Sequence, residues 1–315
     1  MEIILELLQP AVFIGLLTAT VRMATPLLMA SLGQIFSQLA GVLDLSVEGV
    51  VLSGAFWGFV GAFFSGSIWV GLAAGVLAGL LVSLLMAFMS VTLRANQTIT
   101  GIMLVIMMGG FTFFMNKLIF GGTYIPPKTA GFQEIAIPIL SAIPVVGQVL
   151  FRQNLLVYIA FALVPVLTLV LYRTTYGLNI RAVGEHPRAV DSVGINVFRL
   201  QYSAVLLGGM LAGLSGVFLT LAHTNLFTDN ISAGRGWLAV ALVFFGKWRP
   251  WQVMLGAILF GFVNALQLRL QAMAAAPLAF QVMLMLPYLL TIVVLTTVAR
   301  KASGPAAMCV PYTRE

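Results

Sequence analysis

The sequence predicts an all-α, polytopic transmembrane helical bundle of one domain over residues 1–315. Two observations predict this fold class. The chain is 61% apolar and only 8% charged, and its mean hydropathy is +1.06. A water-soluble fold of this length needs more polar residues to cover its surface. Apolar blocks recur from one end of the chain to the other, which favours one membrane domain over several soluble ones.

The apolar blocks are predicted to be about nine membrane-spanning helices, within a range of about eight to ten. Crossing about 30 Å of hydrocarbon takes roughly 20 apolar residues, and continuous apolar runs favour helices over barrel strands. The predicted spans are 9–31, 48–65, 69–93, 99–120, 153–173, 200–222, 236–246, 251–271 and 278–299. Segment 236–246 is too short to cross alone, so it is half a helix or tilts into its neighbours. Arg22 and Pro26 interrupt the first span, and a re-entrant or interfacial start is the alternative.

The basic residues predict the orientation of the bundle, because Arg and Lys near span ends resist translocation. Bases expected inside are Arg94, Arg173, Arg181, Arg188, Arg199, Lys247, Arg249, Arg300, Lys301 and Arg314. Bases expected outside are Lys117, Lys128, Arg152 and Arg235. This predicts an outside N-terminus and a cytoplasmic tail over residues 300–315. Orientation thereby accounts for the net charge of +7, and no nucleic-acid partner is expected, since the bases are scattered singly.

The loop 173–199 is the most unusual of the predicted cytoplasmic segments. Pro187 can begin a short helix, and Gly194 suits its end. The apolar residues predicted along one side of this helix are Ala189, Val190, Val193 and Ile195. From the residues alone, the segment is either a helix that fits a groove on a cytoplasmic partner or an ordinary connecting loop.

Four stretches occur in an order that matches one family. They are GEHPRAVDSVGI (184–195), GVLDLSVEG (41–49), LRANQTITG (93–101) and FFGKWRP (244–250). The first resembles the coupling-helix pattern G-x-x-x-x-A-A-x-x-x-G-I of permease subunits of ATP-binding-cassette (ABC) importers. The other three resemble the N-[IL]-x-x-E-G, R-x-N-Q-x-[IV]-x-G and F-G-x-W-x-P segments of the nucleoside and simple-sugar branch of that family.

The resemblance implies partners. Such permeases pair with a second permease subunit, here expected to be a different chain, with ATP-binding subunits and with an extracytoplasmic substrate-binding lipoprotein, in the lipid of a bacterial inner membrane. This chain has no Gly-x-x-x-x-Gly-Lys-[Ser/Thr] phosphate loop, so it is expected to be a transport subunit and not an enzyme, with ATP hydrolysed by a partner. No cofactor and no metal are expected.

The resemblance also implies which residues couple to the ATP-binding subunit. They are Gly184, Glu185, Pro187, Arg188, Ala189, Asp191, Gly194 and Ile195. Asp44 departs from the family pattern, which usually has Asn at this position. A carboxylate at the start of a span is costly unless it protonates or finds a base.

Polar groups inside the membrane are expensive, and each is therefore a candidate for the substrate pathway. The candidates are Glu48, Asn96, Gln97, Thr98 and Thr100. Two alternatives remain open: Glu48 could form an ion pair with Arg22, and Asn96 could simply cap its helix.

The predicted function is a permease subunit that forms the translocation pathway for nucleosides or related small polar solutes. The same class of importer carrying sugars or branched-chain amino acids is an alternative. A stand-alone secondary transporter, which would need no ATP-binding partner, is a second alternative.

Overall fold

The computed structural model describes residues 10–121, 126–138, 140–273, 285–297 and 304–313. Its helices are α1 (Pro10–Leu39), α2 (Val47–Ser65), α3 (Ile68–Ala87), α4 (Gln97–Phe120), α5 (Val146–Leu150), α6 (Leu155–Arg173), α7 (Thr175–Glu185), α8 (Pro187–Ser192), α9 (Val197–Phe218), α10 (Arg235–Phe245), α11 (Pro250–Met273) and α12 (Leu286–Thr297). Two π-helical segments, Phe88–Thr92 and Leu219–Thr224, extend α3 and α9. Strands β1 (Glu134–Ala136) and β2 (Arg152–Asn154) pair antiparallel, and a 3-10 turn covers Leu140–Ala142.

The predicted membrane bundle is confirmed. Seven helices among the described residues are long and apolar enough to cross a membrane. They correspond to seven of the nine predicted spans, with ends that agree within a few residues except at α1. Of the ninth predicted span, 278–299, the described part contains α12, and residues 278–284 lie outside the described residues. Three bases expected inside, Arg300, Lys301 and Arg314, also lie outside them.

Helix α1 is longer than predicted. It is continuous from Pro10 to Leu39 and contains Pro26, so a re-entrant start is not observed in the part of the chain described, which begins at Pro10. The predicted span ended at 31, and polar residues follow it in the sequence. In the structure these polar side chains, Gln34, Ser37 and Gln38, are buried by protein and not exposed to solvent. Burial against neighbouring helices allows the helix to continue.

The centre of the bundle is a direct contact of helix backbones. Helix α9 meets α1, α2 and α3, and glycines lie at each crossing. If Gly33 of α1 carried a side chain, its Cβ atom would lie only 2.7 Å from the carbonyl oxygen of Gly208. A Cβ atom added to Gly54 of α2 would likewise lie 2.5 Å from the carbonyl oxygen of Gly213. Without a hydrophobic drive between helices in lipid, this close approach is a main source of helix association.

Helix α10 is a half-helix, which answers the question raised by segment 236–246. Its 11 residues extend about 16 Å at 1.5 Å per residue. It begins beside Glu48 near the start of α2. It ends near Trp248, whose indole N–H donates to Gln38 Oε1 at the end of α1 (2.9 Å). Because α1 ends and α2 begins at the same end of the bundle, α10 occupies only that half.

Arg235, expected outside, is the first residue of α10 and is partly buried in the bundle. Residues 225–234 connect the far end of α9 to the start of α10 without forming a helix, so the chain re-enters the bundle. Arg235 follows directly on this re-entrant segment. Its guanidinium donates to the carbonyls of Ile231 (3.0 Å) and Ser232 (3.2 Å), which satisfies backbone groups of the re-entrant segment.

Replacing Gly33 by Ala tests the backbone contact of α1 with α9. The added methyl group has no room beside the Gly208 carbonyl, so we expect the free energy of unfolding in detergent to fall by about 1–3 kcal/mol. Gly15→Ala, on the same helix with nothing within 4 Å of an added Cβ atom, is the matched control and should leave the unfolding midpoint unchanged or slightly higher. Equal midpoints for the two variants would contradict the packing described.

Candidate functional site

The carboxylate of Glu48 caps the half-helix. Its Oε1 accepts a hydrogen bond from the backbone N–H of Gly234 (2.8 Å), and its Oε2 accepts one from that of Gly236 (2.6 Å). The first N–H groups of a helix have no partners within the helix and carry partial positive charge, which favours a carboxylate there. The Glu48 side chain is buried, and a Cβ atom on Gly236 would lie only 2.5 Å from the Glu48 Cα. Both oxygens are thus engaged in holding α10.

The alternative ion pair between Glu48 and Arg22 is not formed. The Arg22 guanidinium pairs with Glu134 of β1, and its Nε donates to Gln153 Oε1 (3.1 Å). Arg235, at the first turn of α10, is a cation that interacts electrostatically with Glu48. Sequence reasoning missed this partnership, although a signal for it existed. The glycines on either side of Arg235 precede an apolar run that is too short to span the membrane.

Asp44 lies in the turn between α1 and α2 and is buried. Its Oδ1 accepts a hydrogen bond from the backbone N–H of Ser46 (2.9 Å) and another from the Ser46 hydroxyl. Burial raises the pKa of Asp44, and the Ser46 hydrogen bonds oppose that rise only in part. Of the two outcomes expected from the sequence, protonation or pairing with a base, the raised pKa favours protonation.

The stretch 96–100 joins α4 to the turn before α2. Asn96 caps α4 by accepting a hydrogen bond from the Ile99 N–H (3.1 Å), as one alternative had it. The buried Gln97 accepts one from the Leu43 N–H (2.8 Å). Thr100 is also buried, whereas Asn96 and Thr98 are exposed.

An apolar groove of about 770 Å³ runs along α4 from this stretch. It is lined by Met89, Ala95, Asn96, Ile99, Thr100, Met103, Leu104, Ile106 and Met107. Two of the predicted pathway residues, Asn96 and Thr100, are thus brought together in its wall. Glu48 lies elsewhere, between α2 and α10, and Gln97 points to the turn before α2.

The predicted short helix in the loop 173–199 is present as α8, with Pro187 as its first residue. Gly194 follows it with a φ of +85°, a backbone conformation that glycine adopts without steric cost. Val190 packs inward, but Val193 is 71% exposed, so the predicted apolar side is divided between the protein and solvent. Among the eight predicted coupling residues, those with exposed side chains or backbone are Glu185, Arg188, Ala189 and Gly194.

Removing the Glu48 carboxylate should release α10. Glu48→Ala leaves the buried N–H of Gly236 and the partly buried N–H of Gly234 unpaired. An unpaired buried N–H costs about 1–3 kcal/mol, whereas Glu48→Gln retains one acceptor. We expect amide hydrogen exchange across α10 to be fastest in the Ala variant, intermediate in the Gln variant and slowest in the wild type. Asp229→Asn removes a half-exposed carboxylate that accepts from Asn116 and serves as the control. Unchanged exchange in Glu48→Ala would show that the cap is dispensable.

Asp44→Asn should preserve or increase stability. A raised pKa means that the ionised carboxylate is disfavoured in the folded state, so its cost is present at neutral pH and is relieved as pH falls through the raised value. Asn keeps the oxygen that accepts from Ser46 and carries no charge. In detergent unfolding at two pH values, the advantage of Asp44→Asn over wild type should be larger at pH 7 than at acidic pH. An advantage that grows on acidification would contradict the assigned burial cost.

Three relatives match nearly the whole chain. TsgC13 of Haloferax volcanii, provisionally named a glucose ABC transporter permease protein, is 40% identical over 96% of this chain and 98% of its own length. The guanosine ABC transporter permease protein NupQ of Bacillus subtilis is 35% identical over 94% and 95%. The nucleoside ABC transporter permease protein NupC of Lactococcus lactis is 33% identical over 92% and 94%. NupP, also named a guanosine permease of Bacillus subtilis, matches more weakly, at 25% over 77% of this chain and 70% of its own length.

A solved structure supports the fold. An ABC transporter provisionally described as metal-chelate type, in an inward-facing conformation, aligns with a TM-score of 0.52 at 13% identity, over 89% of this chain and 84% of that one. The family model described as "Branched-chain amino acid transport system / permease component" matches residues 16–295. The chain therefore belongs to that family, as a multi-pass permease subunit of the ABC-transporter type.

Proposed function

We propose that this permease forms part of the translocation pathway of an ATP-driven importer for nucleosides or closely related polar solutes in a bacterial inner membrane. The observation that carries the proposal is the similarity, over more than nine-tenths of both chains, to NupQ and NupC, permeases named for guanosine and for nucleosides. The similarity to TsgC13, named for glucose, favours a sugar as the second candidate cargo. A nucleoside contains a ribose, so the two cargoes share a set of hydroxyl groups.

The proposed partner in the membrane is a second, different permease. Two permeases of Bacillus subtilis carry the guanosine name, and this chain resembles one of them, NupQ, more than the other, NupP. The surface proposed for pairing is the apolar face of α4. Ile99, Met103 and Ile106 on this face are 57%, 66% and 70% exposed. The apolar face ends at the polar residues with which α4 begins.

The proposed pathway is the groove along α4, closed by the second permease. Asn96 and Thr100 in its wall supply amide and hydroxyl groups that can both donate to and accept from a ribose or a base edge. Glu48 and Gln97 support this wall indirectly. Glu48 fixes α10, and Gln97 ties the start of α4 to the turn before α2.

The proposed site of coupling to an ATP-binding subunit is the segment 184–195. Its residues Gly184, Glu185, Pro187, Arg188, Ala189, Asp191, Gly194 and Ile195 lie on or beside α8. Exposed side chains such as Arg188 and Val193 offer charge and apolar surface to a partner on the cytoplasmic side. ATP hydrolysis belongs to that partner, and a substrate-binding lipoprotein delivers the solute from the opposite face.

Reconstitution tests the proposal directly. The permease, a second permease and the ATP-binding subunit are assembled in proteoliposomes with the binding lipoprotein. ATPase activity and uptake are then measured against nucleosides, glucose, pentoses and branched-chain amino acids. We expect nucleosides to stimulate both activities. Stimulation by glucose alone would replace the cargo by the second candidate, and solute uptake by this chain alone without ATP would overturn the assignment as an importer subunit.

A threonine in the proposed pathway gives a sharper prediction. Thr100→Val keeps the side-chain shape but removes the hydroxyl, and we expect nucleoside uptake to slow about tenfold, which corresponds to about 1.4 kcal/mol. Nucleoside binding to the lipoprotein should be unaffected. Thr112→Val is the control on the same helix, because the Thr112 hydroxyl donates to the Met108 carbonyl (2.8 Å) within α4. Equal uptake by both variants would remove Thr100 from the pathway.

A further inference from the structure

We infer that the C-terminal segment 304–313, here called the tail, is a positioning element that holds α8 in a fixed relation to the turn between α1 and α2. The inference rests on the proposed function, because it assumes that α8 receives the movement of an ATP-binding subunit. In this arrangement the tail passes that movement to the transmembrane helices. Its role is mechanical and not one of solute binding.

Backbone hydrogen bonds from the tail reach two different elements. The N–H of Ala307 donates to the carbonyl of Gly184 at the end of α7 (2.8 Å), and that of Cys309 donates to the carbonyl of Gly41 in the turn after α1 (3.1 Å). Nearby, the Ala306 N–H faces Glu185 Oε2 at 3.4 Å. The tail therefore bridges the segment before α8 and the end of α1.

A side-chain anchor lies at the far end of the tail. Tyr312 is 8% exposed and belongs to a small core with Val183 of α7, Val190 of α8 and Val197 of α9. Its ring centroid lies 5.6 Å from that of Phe198. Val190, the buried apolar side chain of α8, packs in this same core. Tyr312 therefore helps to fix the position of α8.

Gly184 and Gly41, which accept the hydrogen bonds from the tail, are packed closely against neighbouring backbone. A Cβ atom on Gly184 would lie 2.1 Å from the Leu39 carbonyl oxygen and 3.1 Å from the Pro305 Cβ. Gly41 has a φ of +83°, and a Cβ there would lie 3.2 Å from the Ala307 carbonyl oxygen. The tail, α7 and the end of α1 are thus in direct contact through their backbones.

The same contacts lead onward to the half-helix. The turn at Gly41 continues within a few residues to Asp44 and Glu48, which caps α10. At its other end the tail packs on the α10–α11 turn, where a Cβ atom on Gly304 would lie 3.3 Å from the Trp248 ring. The tail thus contacts the elements on both sides of α10 that a displacement of α8 would have to move.

The test uses three substitutions in the tail of the full-length permease, in the assembled complex. Tyr312→Ala removes the anchor, Tyr312→Phe retains its ring, and Val310→Ala changes a side chain that is 58% exposed. For Tyr312→Ala we expect the stimulation of ATPase activity by loaded lipoprotein to fall about fivefold or more, the lower range of measured coupling effects. Basal ATPase activity and the yield of complex should stay at wild-type levels. Val310→Ala should behave as wild type, and Tyr312→Phe, which retains the ring, should keep more of the stimulation than Tyr312→Ala.

The outcomes separate this inference from the proposed function. A wild-type complex that no solute stimulates would refute the proposed function. A wild-type complex that is stimulated, together with an equally stimulated Tyr312→Ala complex, would refute the role of the tail. Loss of basal activity and stimulation together in Tyr312→Ala would also refute it, since this would show a general structural defect.

A second readout needs no partner subunit. Cys309 is the only cysteine of the chain. Its side chain is exposed, and desolvation by the neighbouring residues raises the pKa of its thiol. Release of the tail should lower that pKa toward its ordinary value and speed alkylation of Cys309, since the thiolate is the reactive form. We expect faster alkylation in the isolated Tyr312→Ala permease and an unchanged rate in Val310→Ala. Equal rates in these two variants would overturn the inference.

Discussion

The architecture depends on the contact of α9 with three other helices through bare backbone. Gly33 of α1, Gly54 of α2 and Gly79 of α3 lie at these contacts. A Cβ atom added to any of them would lie within 2.7 Å of a carbonyl oxygen of α9. In lipid, apolar side chains gain little by meeting one another, so helix association depends more on close van der Waals packing. This contact fixes where α2 stands, and α2 carries Glu48.

Buried polar groups then support a helix that the membrane would otherwise disfavour. A half-helix exposes unpaired N–H groups at its start, and such groups are tolerated at membrane depth only when protein satisfies them. Glu48 does so for α10, and the Arg235 guanidinium satisfies carbonyls of the re-entrant segment before it. Polar residues that the sequence offers as pathway candidates therefore divide into two groups. Asn96 and Thr100 line a groove, whereas Glu48 and Gln97 hold elements in place.

Much of the fold could be predicted from sequence, because hydropathy and helix-boundary residues act locally. The spans are predicted by apolar runs, and α8 is predicted by Pro187 and Gly194. The partners of Glu48 could not be predicted in the same way. Its two hydrogen bonds are made to residues that lie 186 and 188 positions further along the chain. The contacts of Arg235 with the carbonyls of the re-entrant segment could not be predicted either, because the charge rule concerns orientation and not contacts within the protein. The end of α1 was missed because burial by protein, not polarity, decides whether Gln34 and Gln38 remain helical.

The glycine contacts also limit how the molecule can change shape. A layer of side chains can shear by exchanging rotamers, but two backbones in contact have no such compliant layer, and interdigitated interfaces rearrange in discrete steps. Helices α1, α2, α3 and α9 are accordingly expected to move as one rigid unit. A change of shape is therefore expected in elements outside this unit, such as α10, whose start is held by the Glu48 carboxylate.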